Sequence, residues 1–343
     1  MPDIELRFGR DMLVLSSPID VTLARQGLDV SRDRQYLNLM EPDVVRDAFR
    51  LEEMAGAQCL VTSTEDITQA RLAHVRMEGD ASRLAGEAVN ALAELKPQHI
   101  LAEIGPCGLP LDSSSKSSLN ENRGQYADAA RAFEGLPVDA IFLNGFANLT
   151  DLKCALMGVA QTCDKPVFAS VLLGDQGVLE EIDNGFRSSD ELVLESAAPA
   201  SSFIGFEVTD APTFPGSILK QQPLASEQWG EAVGLMQEFG AAVIGFETAE
   251  PAYRATAYTK EAAGLTDRPL LAQLRVIANP NARKAAPLAP LEDILDYTPD
   301  TLPSAAVKLY GAGAQFLRAT GNATPACTGA LAAAVFGLDV RAR

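Results

Sequence analysis

Short apolar runs recur along the chain and alternate with longer segments of helical periodicity. The runs are Met12–Leu15, Cys59–Thr62, Ile100–Ile104, Ala140–Leu143, Val167–Val171, Ala242–Phe246, Leu271–Ile277 and Gln315–Arg318, eight in all. Between them, Val44, Val45, Phe49 and Met54 fall near a 3.6-residue spacing, and Gly56 stands where that helix should end. Leu84, Ala88, Ala91, Leu92 and Leu95 repeat the pattern over 82–95. Ser226 is placed to cap a third helix that carries Trp229, Val233, Met236 and Phe239 on one face. Strand signals alternating with helix signals predict parallel strands joined by crossover helices. Eight such units predict an α/β fold, a (β/α)8 TIM barrel filling one domain over residues 1–343.

The rhythm breaks once. About seventy residues separate Val171 from Ala242, roughly twice the usual repeat, and Phe203–Thr209 within them reads as a further strand similar to Val243–Thr248. Two readings stay open. Residues 178–225 are an insertion or lid between strands five and six, the favoured reading, or 203–209 is itself barrel strand six. Ser113–Ser118 and Pro280–Pro290 read as loops, being polar or proline-rich without periodicity.

Composition narrows the class. Hydrophobic residues make up 47% and aromatics only 6%, which suits a barrel interior of small and branched side chains. The formal charge of −18 argues against nucleic acid and anionic membranes, both of which would repel the chain. No stretch of about 18 uninterrupted apolar residues occurs, and the start of the chain lacks a signal-peptide core, so the expected location is cytoplasmic. The five cysteines form no CxxC pair, as expected of a reducing compartment, and two histidines leave little room for His-rich metal sites.

In such a barrel the chemistry sits at the C-terminal strand ends. Those ends carry Ser16 and Ser17, Thr62-Ser63-Thr64, Glu103, Asn144-Gly145, Glu247-Thr248, Asn279 and Asn281, and Thr320-Gly321-Asn322. A rim of hydroxyls and amides can grip a polar small molecule by hydrogen bonds. Glu103 and Glu247 are the candidate catalytic carboxylates. Ser16, Asp20, Thr62, Ser63, Asn144, Thr248, Asn279, Asn281, Thr320 and Asn322 are the candidate substrate-binding residues. Cys107 lies in a loop after the third strand, Cys59 at the opposite end of the barrel, and Cys327 near the start of the last helix.

Several segments, in order, resemble the homocysteine S-methyltransferase family, including the homocysteine-binding barrel of cobalamin-dependent methionine synthase. Leu13-Val-Leu-Ser-Ser-Pro-Ile-Asp-Val-Thr-Leu23 lies where that family has "LLLDGAMGTEL". Asn38, Pro42, Val45 and Ala55-Gly-Ala57 are similar to "N…P..V…H..Y..AGAD", Thr62-Ser-Thr64 to "TNT", and Ile104-Gly-Pro-Cys-Gly108 to "IGPTG". Ala242-Val-Ile-Gly-Phe-Glu-Thr248 resembles "aiGvNC", Asn279 and Asn281 fall in "pNaG.P", and 311–325 parallels "GA.iiGGCCGT.P". The resemblance implies the barrel fold, methyl transfer in methionine metabolism, and a zinc ion held by three thiolates, one from "NC" and two from "GGCC". Zinc needs such soft charged ligands to bind tightly and to acidify an incoming thiol. Here the first position is Glu247 or Thr248, and the pair is Ala319 and Thr320, or Thr320 and Gly321. The family's opening aspartate is Ser16, its following glycine Ser17 and the next glycine Asp20. Its "ET" after strand four, whose glutamate helps hold the substrate amino group, is Asn144-Gly145.

The expectation is therefore no metal ligands, no zinc, and no resident cofactor assigned. Methylcobalamin on a partner corrinoid protein is the candidate donor, and a small molecule the substrate. A methyltransferase with a rebuilt site is the leading reading. Its rival is a non-catalytic binding or regulatory barrel of a methyl-transfer system. A third is lyase or hydrolase chemistry at Glu103 and Glu247, which the fold alone permits.

Overall fold

The computed structural model of the chain describes residues 3–179, 227–278 and 295–342. Eight parallel strands run through it: β1 (Leu13–Val14), β2 (Cys59–Val61), β3 (His99–Ile104), β4 (Ala140–Phe146), β5 (Val167–Leu173), β6 (Val243–Thr248), β7 (Leu270–Val276) and β8 (Ala314–Gly321). They pair in the order β1-β8-β7-β6-β5-β4-β3-β2. The ring is drawn together between β1 and β2 by a parallel bridge from Leu15 to Cys59 and by Ser16 N–H donating to the Cys59 carbonyl at 2.8 Å. The eight apolar runs are thus the eight strands of a TIM barrel. The segment 203–209, the proposed cap Ser226, and Asn279 and Asn281 lie outside the described residues; β5, β6 and β7 pair consecutively without 203–209.

Alternation along each strand separates two layers. Leu13, Leu15, Val61, Leu101, Phe142, Phe168, Leu271 and Phe316 face inward and pack with Ile4 and Phe8 of the N-terminal segment. The Phe168 and Phe316 rings meet edge-on at 4.9 Å, and Phe8 lies 6.0 Å from Phe316, closing the lower end of the barrel. The alternate positions, among them Ile100, Ile141, Ala169, Ile244, Ala272, Leu317 and Ala319, pack outward under the helices.

The described helices are α1 (Asp20–Arg25), α2 (Val30–Met40), α3 (Pro42–Ala55), α4 (Gln69–His74), α5 (Ala81–Ala93), α6 (Lys116–Arg131), α7 (Leu149–Val159), α8 (Glu227–Glu238), α9 (Ala252–Leu265), α10 (Leu302–Ala312) and α11 (Pro325–Val335). The periodicity read from the sequence holds except at Met54, which is 75% exposed because the buried stripe of α3 runs through Val45, Ala48, Phe49 and Glu52. Val45 and Phe49 are buried on α3, Leu84, Ala88 and Leu92 on α5, and Trp229, Val233 and Met236 on α8. Helix α3 stops where Gly56 takes the left-handed conformation, at φ +110°. None of the described helices is long and apolar enough to cross a membrane.

Helices α6 and α7 pack so closely that a Cβ on Gly158 would stand 2.5 Å from the Arg123 carbonyl oxygen and 3.0 Å from the Ala127 amide nitrogen. Both neighbours are backbone, so the helices must separate to admit a methyl group. Gly158→Ala is expected to destabilise the protein by about 1–3 kcal/mol, read from the midpoint of urea unfolding. Unchanged stability would mean that the helix pair is looser than the contact distances imply.

Candidate functional site

Polar residues gather on the inward strand faces in the upper half of the barrel. Glu103 on β3, Asn144 on β4, Ser170 on β5, Gln273 on β7 and Arg318 on β8 form one network there. Arg318 Nη1 and Nη2 donate to Glu103 Oε1 and Oε2 at 3.2 and 3.4 Å, and Arg318 Nε donates to the Ser16 carbonyl at 2.9 Å. Asn144 Nδ2 donates to Glu103 Oε1 at 2.6 Å, while Gln273 Nε2 donates to Asn144 Oδ1 at 2.8 Å and to Ser170 Oγ at 2.7 Å. Arg318 is 2% exposed and Glu103 5%, so this is a buried ion pair with its lone pairs largely satisfied. The guanidinium also lies 5.5 Å above the Phe142 ring, where the polar layer meets the aromatic one.

One step nearer the rim, three adjacent strands bring together Glu247 on β6, Arg275 on β7 and Thr320 on β8. Arg275 and Thr320 are register partners. Arg275 Nε donates to Glu247 Oε1 at 2.7 Å and Thr320 Oγ1 donates to the same oxygen at 2.9 Å. Glu103 and Glu247 therefore do not make a shared-proton carboxylate pair. Each carboxylate has its own arginine.

The other sequence-derived candidates divide by what their side chains already do. Ser16 is fully buried, and its hydroxyl accepts from the Val61 amide at 3.0 Å. Thr62 Oγ1 accepts from the Glu103 amide at 3.0 Å and bonds Thr64, which donates to the Glu103 carbonyl, so the β2 end fixes the backbone beneath Glu103. Thr248 faces away from the mouth and accepts from the Glu250 amide at 3.1 Å. Asn322 ties the ends of β7 and β8 together through the Val276 carbonyl, at 3.2 Å from Nδ2. Ser63, whose carbonyl accepts from Asn38 at 2.9 Å, lines a small cleft with Arg34, Asn38 and Asp66. Asp20 accepts from Arg34 at 2.9 Å, and Arg34 also contacts Glu65.

Arg318, Arg275, Gln273 and Ser170 were not singled out by sequence reasoning, and the signal for them was present. Gln273 and Arg275 are two apart in β7, and Arg318 and Thr320 two apart in β8, which puts each pair on one strand face.

The cysteines stay clear of this site. Burial pushes the Cys59 and Cys107 thiols up, and Cys107 Sγ donates to Asn122 Oδ1 at 3.1 Å. All five cysteines are free, and among the described residues no group of three His, Cys, Asp or Glu converges as a metal site.

A third buried carboxylate stands behind β1. Glu52 of α3 accepts at Oε2 from the Ser17 amide at 2.9 Å and from Thr328 Oγ1 of α11 at 2.6 Å, and the Ser17 and Thr328 hydroxyls bond each other at 2.8 Å. Glu52 Oε1 is buried without a partner. Burial is the main cause that pushes this carboxyl up from 4.5 to about 7, against the two hydrogen bonds and the Arg318 charge.

Comparison with known proteins gives the class. The described structure is similar to the Escherichia coli homocysteine methyltransferase MmuM in its metallated form, with a TM-score of 0.64 at 16% identity over 94% of this chain and 96% of that one. The apo form of the same enzyme gives 0.60 at 15% identity over the same shares. The multifunctional pyruvate carboxylase of Rhizobium etli, at 0.52 and 11% identity, covers 99% of this chain with only 25% of its own. At these identities the likeness is one of fold. No curated protein matches in sequence. The profile of the homocysteine S-methyltransferase family matches residues 15–335, and the chain belongs to that family.

The zinc that the family resemblance implies does not fit the residues present. Ala319 packs outward in the core, and Gly321 has φ +66° with a would-be Cβ 2.6 Å from the Val276 carbonyl oxygen. On this backbone neither neighbour of Thr320 could present a thiolate to the mouth. A carboxylate already bound to a guanidinium and a neutral hydroxyl do not replace three thiolates.

Proposed function

We propose that the chain is a methyltransferase of a corrinoid- or folate-linked one-carbon system, taking a small polar acceptor in the barrel mouth without thiolate-bound zinc. The Glu247–Arg275–Thr320 group carries this reading. It is a mutually bonded polar cluster at the inward strand ends, where the family resemblance places metal-binding cysteines. Family membership over 15–335 supports methyl transfer as the reaction class.

Methyl transfer needs a nucleophile with a free lone pair, aligned with the carbon under attack. Among the described residues, both hydrogen bonds to Glu247 go to Oε1. Oε2 is left to take the proton of an acceptor as the methyl group arrives, and Arg275 with Thr320 fixes the direction in which it points. Glu103, locked by Arg318 and Asn144, shapes the floor beneath. The expected donor is methylcobalamin carried by a partner corrinoid protein.

Mixing chelator-treated protein with a methylated corrinoid protein and homocysteine, and following the cobalamin spectrum, tests this. Loss of the methyl group is expected, unaffected by the chelator. Glu247→Gln should slow it about 10²–10⁴-fold. Complex formation without methyl loss would instead favour a non-catalytic binding barrel.

A further inference from the structure

We infer that Arg275 is the built-in cation of the mouth, standing where relatives are expected to hold their metal, so that Glu247 and Thr320 are committed to a guanidinium instead of a divalent ion. This rests on the metal-free reading above and adds what replaces the metal.

The geometry singles out one triangle. Of the five positions that could carry the family's thiolates (Glu247, Thr248, Ala319, Thr320 and Gly321), only two face the mouth. Thr248 caps the following loop through the Glu250 amide, Ala319 lies in the outer core, and Gly321 has no room for a Cβ. The remaining two, Glu247 and Thr320, sit on β6 and β8, on either side of β7. They touch each other, with Thr320 Oγ1 2.9 Å from Glu247 Oε1. The side chain that completes the triangle comes from the strand between them. Arg275 reaches the same oxygen at 2.7 Å, and its backbone is in register with Thr320.

Charge makes the two occupants exclusive. A guanidinium stays protonated at every physiological pH and holds a carboxylate through a rigid fork of donors. A dication approaching Glu247 would meet that positive charge at contact distance, with Glu247 93% shielded from water and screening correspondingly weak. Three thiolates would instead bring negative charge for the metal to neutralise. Glu247 paired with Arg275 carries no net charge, so this pair leaves no negative charge for a metal ion to neutralise.

The test rebuilds the metal site at these positions and no others. Glu247→Cys, Arg275→Cys and Thr320→Cys combined would place three thiolates on adjacent inward strand ends. The combined variant should bind one zinc per chain and, loaded with Co²⁺, show sulfur-to-cobalt charge-transfer absorption and tetrahedral ligand-field bands. The wild type should show neither. A variant with the wild-type circular dichroism and a cooperative melt that takes up no metal would overturn the inference, as would stoichiometric zinc in the wild type. If the triple variant does not fold, Arg275→Met serves alone. With the guanidinium gone, Co²⁺ should bind about tenfold or more tightly than to the wild type, and unchanged affinity would count against the inference. These are metal titrations, whereas the methyl-transfer reading is judged by wild-type turnover, so either can fail without the other.

Discussion

Replacing Arg318 by methionine is expected to destabilise the protein by about 3–5 kcal/mol, although the new side chain fills much of the same volume. The guanidinium is 2% exposed, and three of its nitrogens are engaged by Glu103, Gln273 and the Ser16 carbonyl. Its loss leaves the Glu103 carboxylate buried at 5% exposure, with Asn144 as its one remaining side-chain donor. Uncompensated charge, not lost packing, is then the dominant cost. That makes the effect recoverable. Adding Glu103→Gln to Arg318→Met removes the orphaned charge, and the double variant should regain most of the loss. Glu103→Gln alone strands the guanidinium and should also destabilise. A double-mutant cycle from urea unfolding separates the pair's coupling from the rest. Near-additive losses, or a cost below about 1 kcal/mol for Arg318→Met, would show that the pair is not isolated from water in solution.

Glu52 predicts a stability that falls as pH rises. Its carboxyl is pushed from 4.5 up to about 7 by burial, so the fold favours the protonated form. Below pH 4.5 both folded and unfolded chains carry the proton and no difference arises. Between 4.5 and about 7 the unfolded chain gives up its proton while the folded one retains it. Above about 7 both are ionised, and the fold has lost roughly 3 kcal/mol relative to acid conditions from this group alone. The structural reason is local. Oε2 has two donors but the buried Oε1 has none, and the one opposing charge that acts on the group is Arg318. Glu52→Gln keeps an oxygen for Ser17 and Thr328 and removes the titration. The variant should therefore be more stable than the wild type at pH 8 and similar to it at pH 5. A wild-type stability that is flat from pH 5 to 8, or equally steep in Glu52→Gln, would refute this role for the carboxyl.

The barrel was legible because its lower half and outer layer are apolar, and apolar runs mark strands. The strand ends were less so. β4, β6 and β8 extend past the runs, through Asn144, Glu247 and Thr320, since the mouth places polar side chains inside the barrel. Those residues are strand in geometry and rim in composition. The same fact hid Arg318, which reads in isolation as the charged end of a run. Its burial depends on Glu103, 215 positions away, and on the Ser16 carbonyl, 302 positions away. No local pattern encodes a partner so distant. The missing thiolates were visible from the cysteine inventory alone. What had replaced them was not, because Arg275 belongs to a strand that carries none of the family's cysteines.

Elemental analysis of wild-type protein, purified and dialysed with zinc present, tests the metal-free mouth most directly. Well under one zinc per chain is the expected result, with melting temperature unchanged by a chelator. One tightly held, chelator-sensitive zinc per chain would contradict the assignment of Glu247, Arg275 and Thr320 as a salt-bridged cluster in place of a metal site.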